Sequence, residues 1–293
     1  MIDVLRIKVP GTTANLGPGF DSCGLALQLY LTLEVGAEQD SWEVEHQLGS
    51  GIPTDSKNVI VTTALSLAPD LSPRKLKMTS DVPSTRGLGS SSAAIVAGIE
   101  LANQLADLQL TAAKKVEIAT LIEGHPDNVA PAILGDFVVA TKINQDVFAV
   151  KHTFPETGII AFIPQKELLT SESRTVLPSE LSYSEAVKAS SIANVMIASV
   201  LEGNLFLAGQ MMEQDLWHEI YRKKLIPHLE KIREISQENG AYGTFLSGAG
   251  PTVLVLVPKD KLKLLMSLLK EVDNEAKIEA FDIDRFGVQI SHQ

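Results

Sequence analysis

A glycine- and serine-rich segment, "VPSTRGLGSSSAA" at residues 82–94, directly precedes a run of good helix formers. Glycine and serine are unfavourable inside a helix but favourable just before one. The start of a helix leaves backbone N–H groups without intrahelical partners and carries a partial positive charge, so it suits an anion. Gly87 and Gly89 would let a phosphate approach these groups, and the serines at positions 90–92 add hydroxyls for phosphate oxygens or a metal. A plain turn that caps the helix is the alternative.

The segment fits neither of two common nucleotide-binding patterns. The Lys-Ser/Thr pair of a Walker loop is missing after Gly89, and the three-glycine spacing of a dinucleotide fingerprint is absent. Two further turn-forming stretches are "PGTTANLGPGFD" at residues 10–21 and "LSGAGPT" at residues 246–252. Three such stretches spread over the chain indicate backbone cleared around one shared ligand, although each alone could be an ordinary bend.

Polar residues that could act on such a ligand follow a predicted helix in the middle of the chain. Glu123 ends this helix just before the break at Pro126, where its carboxylate could project into a cleft or simply be solvated. Because the helix dipole disfavours an acid at a helix C-terminus, a functional role is favoured for Glu123. Asp127 and Asn128 lie in the following turn and could instead cap the short helix "VAPAIL".

The elements that must position these residues indicate an α+β fold in two parts. "DVLRIKV", "GLALQLYLTLEVGA", "SWEVEHQL" and "KLKMTSDVP" read as strands, and "KNVIVTTALSLA" reads as a helix. Long helices follow the glycine–serine segment, and "GDFVVAT" and "FAVKHTF" predict a further pair of strands. From about Gly158 the order strand–helices–strand–strand–helix–strand is the split arrangement of ferredoxin-like layers. We therefore expect a domain boundary within "TFPETG".

The composition argues against several classes of function. The chain of 293 residues is 45% hydrophobic and 21% charged, which is typical of a globular protein. Its net charge of −11 argues against a nucleic acid or an anionic membrane as the main partner, since such proteins usually carry a basic face. Cys23 is the single cysteine, so no internal disulfide can form. With neither a signal-peptide pattern nor an apolar run of about 20 residues, we expect a soluble, cytoplasmic protein.

The three glycine-rich stretches, in this order, resemble the three motifs of the GHMP kinases, a family that phosphorylates small alcohols. The segment "EGHPDNVAPAILGD" is similar to the signature of the branch that acts on homoserine. Motifs and element order together cover nearly the whole chain. The resemblance implies an N-terminal domain of the ribosomal-S5-like type that carries the phosphate-binding loop, residues 1–155, and a C-terminal ferredoxin-like domain, residues 156–293.

The same resemblance implies transfer of the γ-phosphoryl group of ATP to the side-chain hydroxyl of L-homoserine, a step in threonine biosynthesis. Mg²⁺ is the implied metal, with Ser90 and Glu123 as its ligands. The loop is expected to wrap the ATP phosphates, and its implied ATP-binding residues are Pro83, Ser84, Thr85, Arg86, Gly87, Leu88, Gly89, Ser90, Ser91, Ser92 and Ala93.

The resemblance also implies the residues that bind homoserine, namely Asn15, Asp21, His125, Asn128 and Arg222. Asp21 would take the ammonium group and Arg222 the carboxylate, for which a planar guanidinium is suited. Without the resemblance, Asn15 and Asp21 would be interpreted as turn residues and Arg222 as a surface arginine. Phosphoryl transfer depends mostly on positioning and charge neutralisation, and its expected catalytic residues are Glu123, Ser90, His125 and Asn128.

Two features of the family's site have no identified counterpart. A second carboxylate-binding arginine is expected in the helix at residues 185–201, but Ile192 stands at the aligned position, so Ser190 or Thr170 would share the carboxylate. No aspartate is identified as a general base. The hydroxyl proton could pass directly to the phosphate, provided that Mg²⁺ and the helix start stabilise the charge.

Several alternatives stay open at this point. One is a GHMP kinase for another small alcohol, such as mevalonate or shikimate, and another is a non-catalytic ATP-binding member of the fold. An RNA binder is the third, against which the acidic charge argues. Asp21 and "EGHPDNVAP" favour an amino-acid substrate. A homodimer is expected from the resemblance alone.

Overall fold

The computed structural model describes residues 4–292 and contains two β-sheets with helices packed against them. The strands are β1 (Leu5–Ala14), β2 (Cys23–Glu38), β3 (Glu43–Glu45), β4 (Arg74–Ser80), β5 (Phe137–Ile143), β6 (Asp146–His152), β7 (Gly158–Ile163), β8 (Gly243–Leu246), β9 (Val253–Val257), β10 (Lys277–Phe281) and β11 (Gln289–His292). The helices are α1 (Val59–Leu67), α2 (Ser90–Leu105), α3 (Ala112–Glu123), α4 (Val129–Leu134), α5 (Thr170–Thr175), α6 (Tyr183–Leu201), α7 (Leu205–Met212), α8 (Glu219–Arg222), α9 (Leu229–Glu238) and α10 (Leu262–Lys270).

The first sheet has seven strands in the order β11-β1-β2-β4-β3, with β5 and β6 branching from β2. From Leu27 to Val35, β2 alternates with period two, each buried apolar residue being followed by a more exposed one. That period is expected of a strand that covers a core with one face. Apolar side chains of β1, β2 and β4 form this core with α1–α4. The helix α2, which follows the glycine–serine segment, is buried along most of its length.

The second sheet is antiparallel, with the order β10-β7-β9-β8. Its chain order is β7, helices, β8, β9, α10, β10, which confirms the expected ferredoxin-like arrangement. The sequence of β9, "VLVLV", is buried throughout. Leu254 and Leu256 belong to one core and Val253, Val255 and Val257 to another, so both faces of the strand are covered.

The end of the chain returns to the first sheet. β11 pairs antiparallel with β1, from Leu5 opposite His292 to Lys8 opposite Gln289. Just before it, the N–H of Asp284 donates to the carbonyl of Ala26 at 2.9 Å. A single domain boundary between residues 155 and 156 would therefore place β11 in the C-terminal domain, although β11 pairs with β1 of the N-terminal domain. The domain division stays a prediction.

Three local features differ from the sequence-based expectations. β1 continues to Ala14, so the first part of the stretch at residues 10–21 is strand, with a register shift between Pro10 and Gly11 of the kind that a bulge produces. Neither α5 nor β11 was expected. The first residue of the predicted strand "DVLRIKV" lies outside the described residues. None of the helices within residues 4–292 is long and apolar enough to cross a membrane.

Candidate active site

One cleft is lined by residues from both halves of the chain. It brings together the three glycine-rich stretches, the turn after α3 and the helices α5 and α8. Its lining residues are Asn15, Phe20, Asp21, Pro83, Thr85, Arg86, Gly87, Gly89, Ser90, Ser91, Ser92, Glu123, His125, Asp127, Asn128, Thr170, Arg174, Arg222, Gly248 and Ala249. All of the residues predicted to bind homoserine are among them.

The glycine–serine segment forms a concave backbone at the start of α2. Positive φ angles occur at every second residue, at Thr85 (54°), Gly87 (77°) and Gly89 (75°). Alternation between left- and right-handed residues turns successive backbone N–H groups toward one point and makes an anion-binding concavity. Gly89 is the N-cap of α2, and among residues 4–292 no side chain caps this helix. The N–H groups of the first turn are therefore available to a ligand.

The carbonyl groups of this loop are bound by neighbouring segments. Those of Thr85, Arg86, Gly87 and Leu88 accept hydrogen bonds from Leu168 N–H (3.3 Å), Thr252 N–H (3.4 Å), the Ser247 hydroxyl (2.6 Å) and Thr12 N–H (3.0 Å), respectively. Four consecutive carbonyl groups of the loop are therefore held by other parts of the protein. The loop is thus fixed before any ligand arrives.

Gly87 and Gly89 are required by space as well as by φ. A Cβ on Gly87 would lie 2.3 Å from the carbonyl oxygen of Ser247, and one on Gly89 would lie 2.1 Å from Oγ1 of Thr12. Both values are far inside van der Waals contact. The two glycines are therefore required by the close packing of the loop against Ser247 and Thr12, and the approach of a phosphate to them stays a prediction.

Glu123 ends α3 beside the first turn of α2. Its carboxylate accepts hydrogen bonds from the hydroxyls of Ser92 at 2.9 Å and Ser91 at 3.4 Å. Ser90, the serine predicted to share a metal with Glu123, lines the cleft, but the serines that hydrogen-bond Glu123 in the described part of the chain are the next two. The metal-binding role of Ser90 stays a prediction, and the shorter of the two hydrogen bonds to Glu123 is that of Ser92. These oxygens are hard donors of the kind that Mg²⁺ prefers.

The turn after α3 presents His125 and Asn128 to the cleft. Nδ1 of His125 contacts the buried carboxylate of Asp127. Burial lowers the pKa of His125, but Asp127 and other nearby carboxylates outweigh it, so the pKa lies above the usual value. Asn128 accepts a hydrogen bond from Oγ1 of Thr12 at 2.8 Å and makes no side-chain cap to α4. The alternative that Asn128 is only a helix cap is therefore wrong.

Asn15 and Asp21 occupy the first glycine-rich stretch with positive φ angles of 74° and 53°. Asn and Asp are the non-glycine residues that tolerate this conformation best. The amide of Asn15 donates to the carbonyl of Gly248 at 3.1 Å, and its oxygen accepts from the N–H of Asp21 at 3.0 Å. Asn15 therefore joins the first and third stretches and fixes Asp21 at the cleft.

Arg174 is a cleft residue that the sequence analysis missed. It lies on α5, and its guanidinium donates two hydrogen bonds to Asp21, at 2.7 and 3.2 Å. The structure thus places a second arginine in the cleft beside Arg222, on α5 rather than in the helix at residues 185–201 where the family's arginine is expected, and its binding of a carboxylate stays a prediction. Ile192, the aligned position, and Ser190 lie on α6, outside the lining of the cleft. The sequence around Arg174 offers no local signal for this role, because its partner Asp21 lies 153 residues away in the chain.

Arg222 is fully buried rather than a surface arginine, with 2% of the residue exposed. It donates from Nε to the carbonyl of Ser173 at 3.2 Å and from Nη1 to the carbonyl of Gly248 at 3.0 Å. Burial and the neighbouring Arg174 lower the pKa of Arg222 to about 10, which still leaves it charged at neutral pH. Two cationic side chains therefore converge on one end of the cleft.

Part of the predicted ATP-binding loop does not reach the cleft through side chains. Leu88 and Ala93 are buried, and neither they nor Ser84 line the cleft. The guanidinium of Arg86 donates to the carbonyls of Pro164, at 3.0 Å, and Gln165. These hydrogen bonds attach the loop to the segment after β7, so the side chain of Arg86 stabilises the loop in addition to its predicted role in ATP binding. Its contact with ATP stays a prediction.

The chain matches two family domains. Residues 58–136 match the GHMP kinases N terminal domain, and residues 196–271 match the GHMP kinases C terminal domain. These matches span more than half of the chain, and they cover β4 with α1–α4 and β8 and β9 with α7–α10. The chain therefore belongs to the GHMP kinase family and is a small-molecule kinase.

Similar proteins specify the branch of that family. The chain is 60% identical to a homoserine kinase from Listeria innocua, over 98% of this chain and 99% of the relative, and 57% identical to one from Enterococcus faecalis, over 98% and 100%. A crystal structure of homoserine kinase from Cytophaga hutchinsonii matches with a TM-score of 0.87 at 25% identity, covering 99% of this chain and 98% of that one. Within the GHMP kinases the chain belongs to the homoserine kinase family. The expected two-domain α+β architecture is confirmed.

Proposed function

We propose that the protein transfers the γ-phosphoryl group of ATP to the side-chain hydroxyl of L-homoserine, forming O-phospho-L-homoserine for threonine biosynthesis. One observation carries the proposal. A single cleft holds a preformed anion-binding loop together with a carboxylate and two guanidinium groups that match both charges of an amino acid. The relatives named above support the same substrate.

The loop at residues 83–93 is proposed to hold the ATP phosphates through its inward-facing N–H groups. Charge neutralisation is the main demand of phosphoryl transfer, and preorganised N–H groups meet it without rearrangement. Glu123 and Ser91 provide a carboxylate and a hydroxyl beside the loop, a donor set that fits Mg²⁺. When bound there, the metal would supply further neutralisation of the phosphate oxygens.

Homoserine is proposed to replace an ion pair that the protein makes with itself. In the structure the guanidinium of Arg174 forms an ion pair with the carboxylate of Asp21. The substrate's ammonium group would take the place of the guanidinium on Asp21, and its carboxylate would bind Arg174 and Arg222. Asp21 would then pair with the ammonium group, and Arg174 and Arg222 would pair with the carboxylate, so no charged group in the cleft would stay unpaired. Mevalonate and shikimate carry a carboxylate but no ammonium group, so either Arg174 stays on Asp21 and only Arg222 binds the carboxylate, or Asp21 is left without a cation.

The side-chain hydroxyl would then lie near His125 and Asn128. Its oxygen forms the new bond to the γ-phosphorus as the bond to ADP breaks, and its proton passes to a phosphoryl oxygen. Because its pKa is raised, His125 stays protonated to a higher pH than an ordinary histidine, which favours a role as a donor to the phosphoryl oxygens over a role as a proton acceptor. A His125→Ala variant that retains a single-turnover burst would agree with this role, and complete loss of the burst at saturating substrate would contradict it.

An assay of ADP release with Mg-ATP and several alcohols tests the proposal. We expect turnover with L-homoserine and none above background with mevalonate or shikimate, with the product identified by phosphorus NMR. Turnover of another alcohol without homoserine would overturn the substrate. ATP binding without any transfer would identify a non-catalytic protein. The cytoplasmic location and the homodimer stay predictions, the second of which light scattering after size exclusion would test.

A further inference from the structure

His218 is a fully buried histidine that the sequence analysis did not single out. It directly precedes α8, and its ring stacks on that of Phe20 with the centroids 5.0 Å apart. Phe20 in turn lines the cleft. Because a buried imidazole has to satisfy both of its nitrogens, its partners identify its protonation state.

The partners of His218 select one tautomer. Nδ1 lies 3.2 Å from Nη1 of Arg222, and Nε2 lies 3.0 Å from the carbonyl oxygen of Gly17. A guanidinium can only donate and a carbonyl can only accept. Nδ1 is therefore the acceptor, and the proton resides on Nε2. The ring is neutral, since an imidazolium would offer Arg222 no acceptor.

The charges around His218 agree with a neutral ring. Burial lowers the pKa of His218, and the nearby Arg222 lowers it further, while Asp215 and Asp21 act in the opposite direction. The carboxylate of Asp215 lies 3.4 Å from Nε2 but already accepts hydrogen bonds from the backbone N–H groups of residues 217, 218 and 219. Its negative charge is thus shared with the start of α8.

The contact with His218 is one of three hydrogen bonds that hold the guanidinium of Arg222 in place. Nε donates to the carbonyl of Ser173, and Nη1 donates to both Gly248 and His218. Three of the five N–H groups of Arg222 are therefore used within the protein. Within residues 4–292 no protein group accepts a hydrogen bond from the two N–H groups on Nη2, which leaves them for a ligand, and Arg222 lines the cleft.

We propose that His218 is a positioning residue for the substrate carboxylate: its Nδ1 lone pair holds Nη1 of Arg222, so that Nη2 is presented to the α-carboxylate of homoserine. Its Nε2–H ties the same unit to Gly17, in the stretch that carries Asp21. The imidazole of His218 thereby connects Arg222, the proposed partner of the substrate carboxylate, with the stretch that carries Asp21, the proposed partner of the ammonium group. This inference rests on the proposed function, because it assigns Arg222 to the carboxylate.

Two substitutions separate the two contacts of the ring. The side-chain oxygen of asparagine can occupy the place of Nδ1, and the side-chain nitrogen of glutamine can occupy that of Nε2. His218→Asn therefore keeps the acceptor for Arg222 and loses Gly17, whereas His218→Gln keeps Gly17 and loses the acceptor. We expect His218→Gln to raise KM for homoserine about tenfold, with kcat and KM for ATP within about twofold of wild type. His218→Asn is expected to stay within about threefold for all three constants.

Equal increases of KM for homoserine in the two variants would show a merely structural role and overturn the inference. An increase of KM for ATP as large as that for homoserine would overturn it as well. Imidazole ¹⁵N NMR of the wild-type protein keeps the inference testable even where a variant does not fold. The expected spectrum has a protonated Nε2 and an unprotonated Nδ1, and a proton on Nδ1 would refute it. Wild-type protein that shows this tautomer but does not phosphorylate homoserine would refute the proposed substrate and the carboxylate assignment, while leaving the hydrogen bond to Arg222 established.

Discussion

Replacing Arg174 by methionine removes a guanidinium from the cleft and keeps most of the aliphatic stem. In the structure Arg174 holds Asp21 by hydrogen bonds of 2.7 and 3.2 Å, and in the proposed complex it binds the carboxylate of homoserine. We therefore expect Arg174→Met to weaken homoserine binding while leaving KM for ATP nearly unchanged. The contrast between substrate binding and protein stability makes this variant informative.

The expected magnitudes follow from exposure. The side chains of Arg174 and Asp21 are 38% and 36% exposed, so solvent screens their ion pair and it stabilises the fold by at most about 1 kcal/mol. A hydrogen bond between a charged protein group and a ligand is worth about 1.5–3 kcal/mol, which is about 10- to 150-fold in affinity. Partial exposure places Arg174 at the lower end, so we expect KM for homoserine to rise about tenfold. The melting temperature should fall by less than about 4 °C.

A second ion pair of the same exposure supplies the control. Nη2 of Arg6 lies 3.6 Å from the carboxylate of Glu34, their side chains are 39% and 36% exposed, and both residues lie outside the cleft. Arg6→Met should change the melting temperature as little as Arg174→Met and leave both KM values at the wild-type level. Steady-state ADP release with homoserine and ATP varied in turn provides the measurements. The reasoning fails if KM for homoserine is unchanged in Arg174→Met, or if KM for ATP rises as much.

Three further predictions concern the loop, the metal and pH. Gly87→Ala forces a Cβ to within 2.3 Å of the carbonyl of Ser247 at a φ of 77°, so it should raise KM for ATP and lower the melting temperature. Its control is Gly49→Ala, which is also at positive φ but has open space around it and should leave KM for ATP unchanged. Glu123→Gln should lower kcat about 100-fold or more and change the Mg²⁺ dependence of the rate, and an unaltered Mg²⁺ titration would contradict its role as a ligand. Because burial lowers the pKa of His218, the unfolded chain binds that proton first as the pH falls. Relative to His218→Asn, the wild-type free energy of unfolding should decrease below about pH 6.5, by up to about 1.4 kcal/mol per pH unit, and parallel pH curves from urea unfolding would refute this.

The conformation of the glycine–serine loop could be predicted from the sequence because its requirements are local. Positive φ at Gly87 and Gly89 and an uncapped helix start are encoded within a few residues. The period-two pattern of β2 and the strand–helix order of the second half are likewise local signals, and both indicated their sheets correctly.

Arg174, His218 and β11 were missed because their roles depend on distant parts of the chain. Arg174 contacts Asp21, and His218 contacts Gly17, each across more than a hundred residues. No pattern within the segment around Arg174 distinguishes it from a solvated arginine. β11 is short and pairs with the other end of the chain, so only the closed sheet identifies it as a strand.

The contacts among the three glycine-rich stretches favour a ligand site over a plain turn at residues 82–94. A turn that only caps a helix needs no hydrogen bonds to two other turn-forming stretches. Here the Ser247 hydroxyl donates to the Gly87 carbonyl at 2.6 Å and lies 2.8 Å from Oγ1 of Thr13, and Asn15 reaches Gly248. The loop proposed to hold the phosphates, the turn that carries Asp21 and the turn that receives Arg222 are therefore one hydrogen-bonded unit. In the proposed complex such a unit would fix the distance between the donor phosphate and the acceptor hydroxyl, which is the positioning that phosphoryl transfer requires.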